Sequence, residues 1–70
     1  MGRERIVRMK LLLVRTGLSR ATIYRRIAAG RFPPPIDLGE RSRGWYESDV
    51  DCWIANPAGY RSARLDGEEE

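Results

Sequence analysis

Nine residues, Thr16-Gly17-Leu18-Ser19-Arg20-Ala21-Thr22-Ile23-Tyr24, hold a helix end, a turn and the start of a second helix, and they limit what the rest of the chain can do. Gly17 can take φ > 0 and close a helix, and Ser19 can cap the next one through its hydroxyl. Leu18 at N′ and Ile23 at N4 have the spacing of a hydrophobic staple, which fixes the angle of entry. The segment reads as helix, sharp turn, helix.

The helices on either side of that corner follow from apolar spacing. Met9, Leu12, Leu13 and Thr16 recur at i, i+3, i+4 and i+7, while Lys10, Val14 and Arg15 fall elsewhere on the cylinder. A helix of about two turns cannot stand alone and has to pack against its neighbour. The second helix is expected from the Ser19 cap to Ala29, with Gly30 at C′. Ile23 and Ile27 point to the core. Ala21, Arg25 and Ala28 take the opposite face, with Thr22 and Ala29 on one shoulder and Arg20 and Tyr24 on the other. Small side chains interrupted by guanidinium groups permit close approach to a groove and supply the planar fork that suits guanine edges or phosphates.

The three prolines of Gly30-Arg31-Phe32-Pro33-Pro34-Pro35 make an extended connector with Phe32 as its core anchor. Ile36 to Leu38 and Trp45 to Glu47 alternate, so a β-hairpin is expected, its loop Gly39 to Gly44 carrying Arg41 and Arg43. A third helix is expected from a Ser48 cap, with Asp49 and Asp51 at its positive end, Val50, Trp53 and Ile54 on the core and Asn56-Pro57 as its stop. Cys52 falls off that stripe. Residues 1–5 read as a flexible arm, 6–56 as the domain and 57–70 as a disordered acidic tail.

Charge is unevenly spread. Residues 1–31 sum to +8 and residues 32–70 to −5, although the whole chain carries only +3. So steep a gradient in a small domain points the N-terminal half at a polyanion; a merely solvated basic surface is the alternative. The chain has no histidine and one cysteine, which excludes an intrachain disulfide, a Cys/His zinc site and a histidine-dependent triad within one copy. No carboxylates are paired for acid/base work, so neither catalysis nor a cofactor is expected. The run Leu11 to Val14 is too short for a membrane span or a signal peptide, and the default compartment is cytoplasmic.

Taken together, Thr16-Gly17-Leu18-Ser19-Arg20, Thr22-Ile23-Tyr24-Arg25, Gly30-Arg31-Phe32-Pro33, Leu38-Gly39 with Arg41, Gly44-Trp45, Val50-Asp51 and Trp53-Ile54 resemble the AlpA family of phage and prophage transcriptional regulators. The resemblance covers roughly residues 6–55 and departs at Pro34, Arg26 and Asp49. It implies a mainly α, MerR/excisionase-like three-helix domain with a small β-hairpin, a winged helix-turn-helix in which the Ser19-capped helix is the recognition helix and the Gly39 to Gly44 loop the wing. The expected DNA-binding residues are Ser19, Arg20, Ala21, Thr22, Tyr24, Arg25 and Arg26 on the helix, and Arg41 and Arg43 on the loop.

Double-stranded DNA is the expected partner, with self-association on DNA and with RNA polymerase or an integrase as further candidates. An excisionase and a small protein-interaction domain are the alternative roles. No heptad can be written in residues 57–70, so the free chain is expected to be a monomer. A core built from Leu12, Leu13, Ile23, Ile27, Phe32, Trp45, Val50, Trp53 and Ile54 leaves no room for a ligand pocket, and no small-molecule or metal sensing is expected.

Overall fold

The computed structural model describes residues 4–62, which form β1 (Ile6–Arg8), α1 (Met9–Thr16), α2 (Arg20–Ala28), β2 (Ile36–Gly39), β3 (Ser42–Tyr46) and α3 (Glu47–Ala55). The corner between α1 and α2 is built by the local signals its sequence carries. Gly17 sits at φ 75° and donates its N–H to the Leu13 carbonyl. Ser19 accepts the Thr22 N–H at 3.2 Å, and Leu18 and Ile23 both join the core cluster. α2 closes through Gly30, also at φ 75°: its N–H donates to the Ile27 carbonyl and that of Arg31 to the Arg26 carbonyl, the two bonds of a Schellman motif.

The sheet has three antiparallel strands in the order β1-β3-β2. The hairpin is longer and its turn tighter than expected. β3 begins at Ser42 and ends at Tyr46, so Glu47 is helical, and Ser42 pairs with Gly39 around a tip of only Glu40 and Arg41. Both tip residues have positive φ, 48° and 63°, as a two-residue type I′ hairpin demands. Gly44 is therefore no loop boundary. It lies in the central strand, where a Cβ would stand 2.5 Å from Ile6 Cγ2 and 3.3 Å from the Val7 carbonyl oxygen, so close approach selects glycine here.

β1 follows directly on residues 1–5, the segment expected to be a flexible arm. Val7 pairs with Trp45 and is buried, and the chain before the strand is also tied down. Arg5 accepts the Glu47 N–H through its carbonyl, and the Glu4 carboxylate accepts both the Ser48 N–H at 3.2 Å and the Ser48 hydroxyl at 3.0 Å. The expected Ser48 cap is thus corrected: α3 follows Tyr46 directly, and the group at its positive end is a carboxylate 44 positions upstream. Glu4→Ala is expected to lower stability by about 1 kcal/mol, the usual worth of a side-chain cap. In a domain this small that corresponds to a fall of roughly 4–8 °C in Tm, readable by circular dichroism.

Val7, Leu12, Ile23, Phe32, Trp45, Val50 and Trp53 form the buried core, with Met9, Leu13, Leu18, Ile27 and Tyr60 packed around it. Ile54, expected inside, is 38% exposed. The buried stripe of α3 centres between Val50 and Trp53, and at about 100° per residue Ile54 lies roughly 70° off that line. The proline connector takes part in polar pairing as well as in packing. An extended run of prolines leaves its carbonyls without a ladder, and two carbonyls of the connector accept the buried indoles, Trp45 Nε1 at 2.9 Å on Pro33 and Trp53 Nε1 at 3.1 Å on Arg31. Phe32, between them, is fully buried and meets Trp53 at 5.1 Å between ring centroids, tilted by 56°.

The chain stays on the domain after Pro57, where the tail was expected to begin. The Ser62 N–H donates to the Gly30 carbonyl at 2.8 Å, and Ser62 is buried. Tyr60 lies half-buried against the core, and its hydroxyl is pushed above the ordinary phenol range by burial, with the negative charges of Asp49 and Cys52 adding to the shift. The rest of the expected tail, residues 63–70, lies outside the described residues, as do residues 1–3. No helix among the described residues is long and apolar enough to cross a membrane.

Candidate nucleic-acid interface

α2 presents the face its spacing implies. Ala21, Arg25 and Ala28 are placed on it, with Arg20 and Tyr24 exposed on one shoulder and Thr22 half-buried on the other. Thr22 is a polar hub for the helix: its hydroxyl oxygen accepts from the Ser19 hydroxyl at 2.9 Å and from Arg25 Nη2 at 3.2 Å. The Ser19 hydroxyl is therefore committed to the helix start, and the Arg25 guanidinium is held along the helix surface with most of its N–H donors still free to bind.

Arg20 and Tyr24 of α2 and Arg41 and Arg43 of the hairpin line one open cleft of about 630 Å³. Of the seven residues expected from α2, Arg20 and Tyr24 are brought together there with both arginines expected from the loop, around a space that belongs to the surface and not to the core. Two cations that sequence reasoning leaves out complete it, Arg8 at the end of β1 and Lys10 at the start of α1. Pairing with Gly44 carries Arg8 to the hairpin, where its Nη2 lies 3.4 Å from the Ser42 hydroxyl. The +8 charge of residues 1–31 is the one signal in the sequence that could include it.

The hairpin tip adds an energetic observation. Arg41 holds the left-handed backbone at φ 63°, a conformation that costs a non-glycine residue about 1–2 kcal/mol. A guanidinium stands at a position where glycine or asparagine would relieve strain. Such outliers gather where a side chain is needed.

Not every basic residue of the N-terminal half faces this cleft. Arg15 is taken up by α3, through Asp51 at 2.7 Å and Glu47 at 3.7 Å. Arg26, expected to contact DNA from the edge of α2, has its guanidinium over the Trp53 ring, 6.0 Å from the centroid. It lines a second, smaller cleft of about 310 Å³ with Thr22, Arg25 and Arg31. Among the described residues, no group of three or more His, Cys, Asp or Glu is placed to hold a metal.

Comparison with known proteins gives a family and two curated relatives. The family model described as prophage CP4-57 regulatory protein (AlpA) matches residues 5–58. The DNA-binding transcriptional activator AlpA of Escherichia coli (strain K12) is 35% identical over 57 residues, a match covering 73% of this chain and 81% of that protein. An uncharacterized protein, ORF88, of Enterobacteria phage P4 is 42% identical over 52 residues, covering 74% of this chain. The match spans only 59% of the length of the phage protein. No solved structure matches.

Proposed function

The chain belongs to the AlpA family of prophage regulatory proteins, and we propose that it is a winged helix-turn-helix protein that binds double-stranded DNA sequence-specifically and regulates transcription. The observation that carries the reading is the one cleft lined by Arg8, Lys10, Arg20, Arg41 and Arg43. With α2 as recognition helix and the β2–β3 hairpin as wing, a sugar–phosphate backbone running between them meets cations from both elements. Phosphate contacts of this kind fix register on the duplex without reading sequence. Base readout then falls to the outward face of α2, where Ala21 and Ala28 allow close approach and the Arg25 fork suits guanine O6 and N7. The relative named as a DNA-binding transcriptional activator supports the same reading.

The test is selection of bound duplexes from a random pool. The unaltered chain is expected to enrich one motif. Arg25→Ala is expected to relax a single base position, losing ~1–3 kcal/mol of discrimination there, whereas Arg41→Ala weakens binding to all sequences to a similar degree and leaves the motif intact. An identical motif with R25A would remove the base-reading role from Arg25, and a pool that never enriches would remove sequence specificity from the chain.

A further inference from the structure

We propose, resting on the DNA-binding reading, that Arg26 and Arg31, in the smaller cleft they line with Thr22 and Arg25, form a second phosphate site, holding the DNA strand across the major groove from the one held between α2 and the hairpin, with Arg25 at its edge left to the bases. The two clefts lie on opposite flanks of one helix. Arg20 and Tyr24 line the larger, Thr22 and Arg26 the smaller. At about 100° per residue the midlines of these two pairs stand roughly 160° apart around α2. An α-helix about 10–12 Å across fills a major groove about 12 Å wide, so a backbone runs along each flank of the inserted helix. Each cleft therefore faces one strand.

The smaller cleft is also charged and set for an anion. Three guanidinium groups share it, no carboxylate lines it, and among the described residues the only salt bridges are those of Arg15 elsewhere on the surface. Crowding like charges without a counter-charge costs free energy that a bound phosphate relieves. Each guanidinium is held from behind. Arg25 donates to Thr22, Arg26 stacks over Trp53, and Arg31 Nη2 donates to the Ala58 carbonyl at 3.1 Å. Holding the long side chains in place before binding lowers the ordering cost of a contact. Residues 56–62 contribute to the site in this way, because the turn that packs Ser62 under Gly30 supplies the carbonyl that positions Arg31.

The experiment compares the salt dependence of binding to a random-sequence duplex for the unaltered chain, Arg26→Gln/Arg31→Gln and Arg8→Gln/Lys10→Gln, with circular dichroism confirming that each is folded. Each neutralised phosphate contributes about 0.9 to the slope of log K against log salt, so each double variant is expected to flatten the slope by roughly 1.8. Arg26→Lys/Arg31→Lys, which keeps both charges, is expected to retain the unaltered slope. Should loss of the Arg26 stack unfold the double variant, Arg31→Gln alone carries the test, with an expected change of about 0.9. A slope unchanged by Arg31→Gln but flattened by Arg8→Gln/Lys10→Gln would overturn the second site and leave the DNA-binding reading standing. A slope of zero for the unaltered chain would overturn both.

Discussion

Phe32→Ala is expected to leave the domain largely unfolded at 37 °C. Phe32 is fully buried, packs on Trp53 at 5.1 Å, and anchors the connector whose carbonyls at Arg31 and Pro33 accept the two indole N–H groups. Truncating a buried phenylalanine costs about 3–5 kcal/mol through lost transfer energy and the cavity left behind. A domain of this size holds a single core worth only about 3–5 kcal/mol in net stability, so the substitution removes most or all of it. Urea unfolding followed by tryptophan fluorescence measures the effect directly, since both tryptophans are core residues. A midpoint close to that of the unaltered chain would show that the connector is not the anchor described.

The parts of this molecule that are legible in the sequence are those fixed by neighbours along the chain. Gly17, Ser19 and Gly30 end and start helices through bonds to residues three to five positions away, and all three act at the positions their types imply. What the sequence hides depends on distant partners. Gly44 looks like turn punctuation, and only the approach of Ile6 and Val7 from another strand shows that it belongs to the ladder. Glu40 and Arg41 carry no propensity for the left-handed backbone they adopt, so the two-residue turn leaves no trace in composition. Glu4 caps a helix 44 residues away, and Ser48, the better cap by type, instead donates to it.

The site divides the same way. The outward face of α2 follows from helical spacing alone. Arg8 and Lys10 escape sequence reasoning because their place beside the hairpin is made by β1 pairing with β3, and a three-residue strand has too little pattern to announce itself. Arg26 reads as an ordinary outward cation until Trp53 is seen beneath it. Arg15, one of nine basic residues in the N-terminal half, is neutralised by Asp51 and Glu47, so a formal sum overstates what is offered to a polyanion.

The second large effect expected is the loss of DNA affinity with salt. Five cations line the cleft between α2 and the hairpin. If each neutralises one phosphate, counterion release gives a slope of about −4.5 for log K against log salt, which over a fourfold rise in salt amounts to roughly a 500-fold loss of affinity. Contacts from Arg26 and Arg31 would steepen the slope to about −6. A protein that bound a folded partner through an apolar patch would change far less, because surface burial is insensitive to ionic strength in this range. Fluorescence anisotropy of a labelled random duplex, titrated with the full chain at several salt concentrations, therefore tests the central claim most directly. A straight line with a slope of about −4.5 or steeper is predicted; a slope indistinguishable from zero would contradict the account.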